Sequence, residues 1–186
     1  MIEVEKKAYL RNNQVLQNIK DIAEYKGYSV KTDRYYGPGS KEVVNLYHDP
    51  VFRLRKENQQ QILTFKEKSF IENTEVNQEH EIDLSHIPQK DLEKFFSYLG
   101  YKPFIDKNKN SHLYYIRNKN GYPVSIEHNH IESLGEFIEI EILAQQESEV
   151  PAVHRIIEEL FQELGIKDED IEKRYYIDLL AGRNNP

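Results

Sequence analysis

Ile2-Glu3-Val4-Glu5-Lys6-Lys7-Ala8-Tyr9 opens the chain as an alternating strand. Side chains on extended backbone point to two faces in turn, so Glu3, Glu5 and Lys7 share one face while Ile2, Val4 and Ala8 share the other. A half-buried strand with its charged face in bulk water has the same pattern. Later strands repeat it with the charge partly reversed. Arg53 and Arg55 lie on one face of Val51-Phe52-Arg53-Leu54-Arg55, with Phe52 and Leu54 opposite. Thr64, Lys66 and Lys68 stand against Leu63, Phe65 and Glu67, and Glu139 and Glu141 stand against Ile138, Ile140 and Ile142. Rows of carboxylates and rows of cations on strands of one domain point to a shared charged surface. Such a surface suits a metal-bound polyphosphate.

The chain has 186 residues, enough for one domain, or two closely joined halves, around a real core. Charged residues make up 31% of it and the formal net charge is -7. That balance argues against nucleic acid as a main partner, because binders of phosphate backbones carry a basic footprint. A local cationic groove within an acidic protein is still compatible with it. There is no cysteine, which excludes disulfides, thiol nucleophiles and zinc-thiolate sites. The histidines, His112, His128 and His130 among them, show no zinc-like spacing. With a charged start and no long apolar run, the expectation is no signal peptide, no membrane association and a cytoplasmic location.

Helical periodicity is clear in three places. Leu16, Ile19, Ile22 and Ala23 form a stripe expected to stop at Gly27. Leu92, Phe95, Phe96 and Leu99 follow, with Pro88 near the start and Gly100 at the end. Val153, Ile156, Ile157, Leu160 and Leu164 make the third stripe, closed by Gly165. Strand-like stretches lie near 28–36, 43–57, 60–70, 75–84, 101–106, 112–118, 122–131 and 136–144. Asn118-Lys119-Asn120-Gly121 supplies a hairpin signal. The chain also reads as a duplication: Gly27-Tyr28 and Asp33 recur as Gly100-Tyr101 and Asp106 at one offset of 73, which also carries Lys66 onto Glu139. The expected organisation is one domain over 1–186, with pseudo-repeated halves at about 1–74 and 75–144, and C-terminal helices within 150–182.

If the apolar faces pack beneath helices, the charged faces must point inward or stay wetted. Burying so many charges without partners would cost several kcal/mol per ion. The consistent solution is a hydrated tunnel through a β-barrel with polar inner walls. Glu3, Glu5, Glu139 and Glu141 then supply hard oxygen ligands for Mg²⁺ or Mn²⁺. Arg53, Arg55, Lys66, Lys107 and Lys109 neutralise phosphate oxygens. No glycine-rich phosphate loop is present.

These motifs resemble the CYTH superfamily, which joins class IV adenylate cyclases with thiamine triphosphatases and inorganic triphosphatases. The carriers are Glu3-Val4-Glu5-Lys6-Lys7, Asp33-Arg34-Tyr35-Tyr36, Arg53-Leu54-Arg55, Leu63-Thr64-Phe65-Lys66, Leu99-Gly100-Tyr101-Lys102-Pro103 and Leu134-Gly135-Glu136-Phe137-Ile138-Glu139-Ile140-Glu141. They run in order over close to the whole chain, and the second half, Leu99 to Glu141, looks most like the cyclase branch. The resemblance implies an α+β fold, an eight-stranded antiparallel β-barrel (a triphosphate tunnel) with helices packed outside. It implies Mg²⁺ or Mn²⁺ dependence, with Glu3 and Glu5 as the first metal-binding pair and Glu139 and Glu141 as the second. Arg53, Arg55, Lys66 and Lys107 match phosphate-gripping cations. Lys7 matches a motif lysine that helps prepare the attacking water in hydrolytic members. Asp33, Tyr35 and Tyr36 match a structural or substrate-lining stretch.

Three departures stand out. Lys107-Asn108-Lys109 replaces Lys-x-Arg and loses a guanidinium fork. Asn129 stands where an aspartate is common, with Glu127 two residues earlier on the same face, able to restore the charge if the strand register slips through a bulge. Asn77 stands where an arginine is expected. The first functional expectation is a metal-dependent cyclase turning ATP into cyclic AMP and pyrophosphate. The alternatives are a hydrolase of inorganic or thiamine triphosphate, and a catalytically weak nucleotide- or polyphosphate-binding module. The expected partner is a small-molecule triphosphate, with the protein a monomer or homodimer.

Overall fold

A computed structural model describes residues 2–45, 48–71 and 74–182; the side chains at 68–71, 74 and 75, Lys68 included, lie outside the described residues. The first half runs β1 (Ile2–Tyr9), α1 (Gln14–Ile22), β2 (Glu24–Pro38), β3 (Phe52–Glu57) and β4 (Gln60–Ile71). The second runs β5 (Thr74–Asp83), α2 (Gln89–Tyr98), β6 (Tyr101–Lys119), β7 (Tyr122–Ile131) and β8 (Gly135–Ala144). The order β–α–β–β–β therefore runs twice. A tail of α3 (Val150–Leu164), β9 (Ile171–Glu172) and α4 (Tyr176–Leu180) follows.

Neighbouring strands pair antiparallel in the order β5-β4-β3-β2-β6-β7-β8-β1, and β1 closes the ring by pairing with β5. The result is a closed eight-stranded antiparallel β-barrel with helices outside. Closure is economical: β1 meets β8 from Ile2 to Tyr9 but meets β5 only over Glu3–Glu5. Further along, Lys7 and Ala8 pair with the short β9.

The alternation of β1 decides which way it faces. Val4 and Ala8 are fully buried in the main core with Ile138, Ile140 and Ile142 of β8 and Val153, Ile157, Leu160 and Leu164 of α3. Lys6 shares this outer face and is buried, its ammonium paired with Glu158 of α3. The helix ends at Gly165, whose φ of 79° is the left-handed conformation glycine adopts readily. A second cluster under α2 joins Leu92 and Phe96 to Leu54 and Tyr36. Only that half of the α2 stripe is covered, since Phe95 and Leu99 are exposed.

Several boundaries differ from the sequence reading for local reasons. Helix α1 stops at Ile22, with Ala23 already extended, and Gly27 lies within β2 beside a register shift, at φ 142°. The expected strand over 43–57 begins only at Phe52. Asp49-Pro50 precedes it, and a proline supplies no ladder N–H. Upstream, Val44 is buried tightly against Gly37, where any added Cβ would stand 2.7 Å from a Val44 methyl. The stretches 101–106 and 112–118 form one continuous strand. The polar run between them reads as a break, but Lys107, Lys109 and Ser111 turn inward to buried positions while Asp106 and Asn108 face solvent. Both faces are polar because the inner face is ionic. Among the described residues, no helix is long and apolar enough to cross a membrane.

Packing of α3 onto β1 and β8 carries the main core, so truncating its fully buried Leu160 to alanine should cost about 2–5 kcal/mol. Urea unfolding would report this as a lower midpoint with the slope unchanged.

Candidate active site

The inward faces of the barrel enclose a cavity of about 290 Å³. The ten acids and cations expected from sequence to bind metal or phosphate, or to act in catalysis, line it: Glu3, Glu5 and Lys7 from β1; Arg53 and Arg55 from β3; Lys66 from β4; Lys107 and Lys109 from β6; Glu139 and Glu141 from β8. Lys31, Glu79, Glu81 and Glu127 join them. Glu81 is the most open of the group, about half exposed (52%), whereas Lys109 is nearly enclosed (7%).

The opposite end is covered by the tail. Tyr175 and Ile177 pack on Tyr35, Val51, Phe104 and Ile105, and Tyr176 packs with Phe137 and Ile131. These partners sit where β2, β3, β6, β7 and β8 begin or end on one side of the barrel. The Lys7 ammonium lies 5.7 Å from the Tyr175 ring centre and 5.5 Å from that of Tyr176, and Lys107 lies 5.2 Å from Tyr176. Aromatic faces attract desolvated cations, so the tail holds these ammonium groups as well as plugging the barrel.

On the cationic side, carboxylates organise the charges. Asp33 is fully buried and opposes Arg55 on β3 and Lys107 on β6. Its oxygens accept from Arg55 Nε and Nη2 at 2.7 and 2.9 Å, and Lys107 Nζ lies 3.0 Å away. Burial alone would raise this carboxyl's pKa, but Lys107 and Arg55 outweigh it and hold the group well below the usual range. Arg53 donates to Thr64 Oγ1 at 2.9 Å and lies 3.7 Å from Glu81. Glu127 bridges Lys31 at 2.7 Å and Lys109 at 2.5 Å.

The acidic side is balanced differently. Glu3, Glu5 and Glu141 each bring an oxygen within 4.8 Å of the others. Burial and the neighbouring Glu5 push Glu3 up to about 9, against the opposing pull of Lys66. Burial and Glu5 likewise push Glu141 up to about 7. Lys66 lies 3.0 Å from Glu3 and 2.5 Å from Glu79. The nearer Glu79 is shifted down by Lys66 and Arg53 despite its burial. Ionising all three at once is therefore disfavoured, and Glu3 and Glu141 hold their protons to higher pH than ordinary carboxyls. Their clustered hard oxygens fit a divalent cation such as Mg²⁺ or Mn²⁺, whose charge would favour the ionised forms.

Glu139 lines the cavity outside that trio. It accepts from Lys109 at 3.1 Å and from the Asn129 side-chain amide. Asn129 is fully buried on the same inner face and accepts from Ser111 Oγ at 2.6 Å, so it braces Glu139 from beside it. The charge at 127 needs no slipped strand: β7 and β8 pair without a shift from Ser125–Glu141 to Ile131–Gly135, and Glu127 already faces the cavity. Asn77 is buried on β5, opposite Glu3. Lys31 was legible, two residues before Asp33 on the same face, yet the sequence reading passed over it. Tyr175, Tyr176 and Ile177 carry no local signal; only the return of the tail brings them to β1. His112 and His128 stack on the outer face, with ring centres 5.7 Å apart, away from the cavity.

This chain belongs to the CYTH domain family, whose model matches residues 1–176. Its structure is similar to that of the PH1819 protein from Pyrococcus horikoshii, with a TM-score of 0.79 and 25% identity over 97% of this chain and 98% of that one. A candidate adenylate cyclase from Vibrio parahaemolyticus shares the fold at a TM-score of 0.74 and 15% identity, over 97% and 98% of the two chains. So does HpAC1 from Hippeastrum, a candidate adenylyl cyclase with a dominant triphosphatase activity, at 0.68 and 15% over 99% and 98%. Among curated proteins, none matches.

The Asp33 cluster makes a sign-specific prediction. A carboxylate held below its unfolded pKa of about 3.9 contributes stability that is complete above that value and is lost as pH falls toward the folded one. Asp33→Asn strands Arg55 and Lys107, so it should cost about 3–5 kcal/mol at neutral pH. Thermal unfolding from pH 7 to 2 should show the gap to wild type narrowing as pH falls.

Proposed function

We propose that this protein is a divalent-metal-dependent enzyme that binds a triphosphate in the barrel and breaks one of its phosphoanhydride bonds. The observation that carries this reading is the division of a single half-buried cavity into a carboxylate trio and a ring of cations. Glu3, Glu5 and Glu141 would hold Mg²⁺ or Mn²⁺, which supplies charge neutralisation and Lewis-acid polarisation of phosphoryl oxygens. Arg53 and Arg55 offer bidentate donors to non-bridging oxygens, and Lys66, Lys107 and Lys109 add point charges. Phosphoryl transfer depends largely on such positioning and charge stabilisation.

Hydrolysis of the terminal phosphate of inorganic triphosphate is the reaction this lining supports best. The apolar and aromatic lining residues Tyr35, Val51, Tyr175 and Ile177 pack against one another at the plugged end. The rest of the described lining is almost wholly ionic or hydroxylic, chemistry that fits phosphoryl groups rather than a nucleobase or thiamine ring. The dominant triphosphatase activity of the Hippeastrum protein favours hydrolysis over cyclisation as the reaction. In this reading Lys7, near the tyrosines, orients the water that attacks the terminal phosphorus. Cyclisation of ATP is the second reading, favoured by the cyclase-like wording of Leu99 to Glu141.

Purified protein given inorganic triphosphate, thiamine triphosphate or ATP with Mg²⁺ or Mn²⁺ should release orthophosphate, fastest from inorganic triphosphate. Cyclic AMP with pyrophosphate would replace hydrolysis with cyclisation. Calorimetric binding without turnover would leave a binding module. Lys7→Ala should slow hydrolysis about a hundredfold or more with triphosphate affinity nearly intact. Equal loss of both would remove Lys7 from the chemistry. Mn²⁺ at about 100 times its dissociation constant should stabilise the fold by about 2.7 kcal/mol, and Glu141→Gln should abolish most of that gain.

A further inference from the structure

Lys31 and Lys109 are direct cross-strand neighbours on β2 and β6, both buried and both lining the cavity. Like charges placed opposite each other on a sheet repel, and burial makes that repulsion costlier. One carboxylate reconciles them: Glu127 Oε1 lies 2.7 Å from Lys31 and Oε2 lies 2.5 Å from Lys109. We propose that Lys31 and Lys109 form a twin-ammonium subsite for one phosphoryl group of a triphosphate, and that Glu127 is an internal anion occupying it until the phosphoryl group takes its place. This deepens the triphosphate reading above and rests on it.

Comparison with Asp33 shows why Glu127 is the exchangeable member. Asp33 also holds two cations, but it is fully buried under the Arg55 and Lys107 side chains on the inner face and does not line the cavity. A ligand can meet Arg55 and Lys107 only on top of their fixed counter-ion. Glu127 stands on the cavity side, partly exposed, and competes for the surface a ligand would use. A phosphoryl group spaces its oxygens much as a carboxylate does and carries more charge, so it spans the same two ammonium groups and outcompetes the carboxylate. Lys109 keeps Glu139 as a partner throughout. Lys31 has Glu127 as its ion-pair partner among the described residues, and its ammonium pKa is lowered by burial and by Lys109. It therefore gains most from an incoming anion.

The test is calorimetry with inorganic imidotriphosphate, whose P–N–P bridges resist hydrolysis, in the presence of Mg²⁺. Lys31→Gln should weaken binding about tenfold and Glu127→Gln should tighten it about tenfold. Opposite signs separate this role from a structural one, in which losing either partner would weaken binding alike. Lys31→Arg keeps the charge and should retain affinity, while Lys31→Met removes it and stands in for Lys31→Gln if that variant does not fold. Shifts in the same direction, or no shift in either variant, would overturn the subsite while leaving the wild-type triphosphate reading in place. No binding by wild type would overturn both.

Discussion

The constraint on which this structure depends is that ionised groups withdrawn from water must find counter-charges. The barrel interior concentrates lysines, arginines and glutamates from all eight strands, together with β2's buried Asp33. No apolar packing could hold such an interior together. It persists because cations and carboxylates alternate in space: Arg55 and Lys107 over Asp33, Lys31 and Lys109 over Glu127, Lys66 between Glu3 and Glu79. Apart from the apolar plug that the tail builds at one end, hydrophobic packing lies on the outside of the sheet, where α1, α3 and α2 cover apolar faces. Strand alternation separates the two regimes along most of each strand.

Where the balance fails is informative. Among the cations, the described geometry supplies carboxylate partners almost residue by residue. Around Glu3, Glu5 and Glu141 three carboxyls crowd together, and burial with mutual repulsion drives two of them well above their usual range. Perturbation of this kind inside a cavity is what the proposed cation would relieve. The tail contributes to the same economy. By packing tyrosines over Lys7 and Lys107, it covers one end of the barrel with aromatic faces that hold those ammonium groups.

Much of this was legible because a strand's two-residue period is robust to boundary errors. Glu3, Arg53, Lys66 and Glu141 face a common space whether or not their strands are delimited correctly. The misread segments are those where that period lost its contrast. In β6, polar residues occupy both faces near Lys107 and Lys109, so an unbroken strand resembles a loop. Around Val44, an apolar residue packs on Gly37 outside any strand, so a loop resembles a strand. The tail was illegible for another reason: Tyr176 meets Lys7 from about the far end of the chain, and no local pattern encodes that distance.

The departures from the family pattern also make sense as one set rather than as separate losses. Asn129 is fully buried on the inner face, in contact with Glu139. An aspartate there would place a second buried negative charge against that carboxylate, whereas the amide donates to it and accepts from Ser111. The negative charge absent at 129 is present at 127, facing the cavity, where it binds two ammonium groups. Lysine rather than arginine at 109 suits this arrangement. A compact ammonium can serve Glu127 and Glu139 together, while a planar fork would favour one carboxylate at a time. Moving the charge two residues along the same inner face, from a fully buried position to one that lines the cavity, turns a fixed brace into a group that an incoming anion can displace.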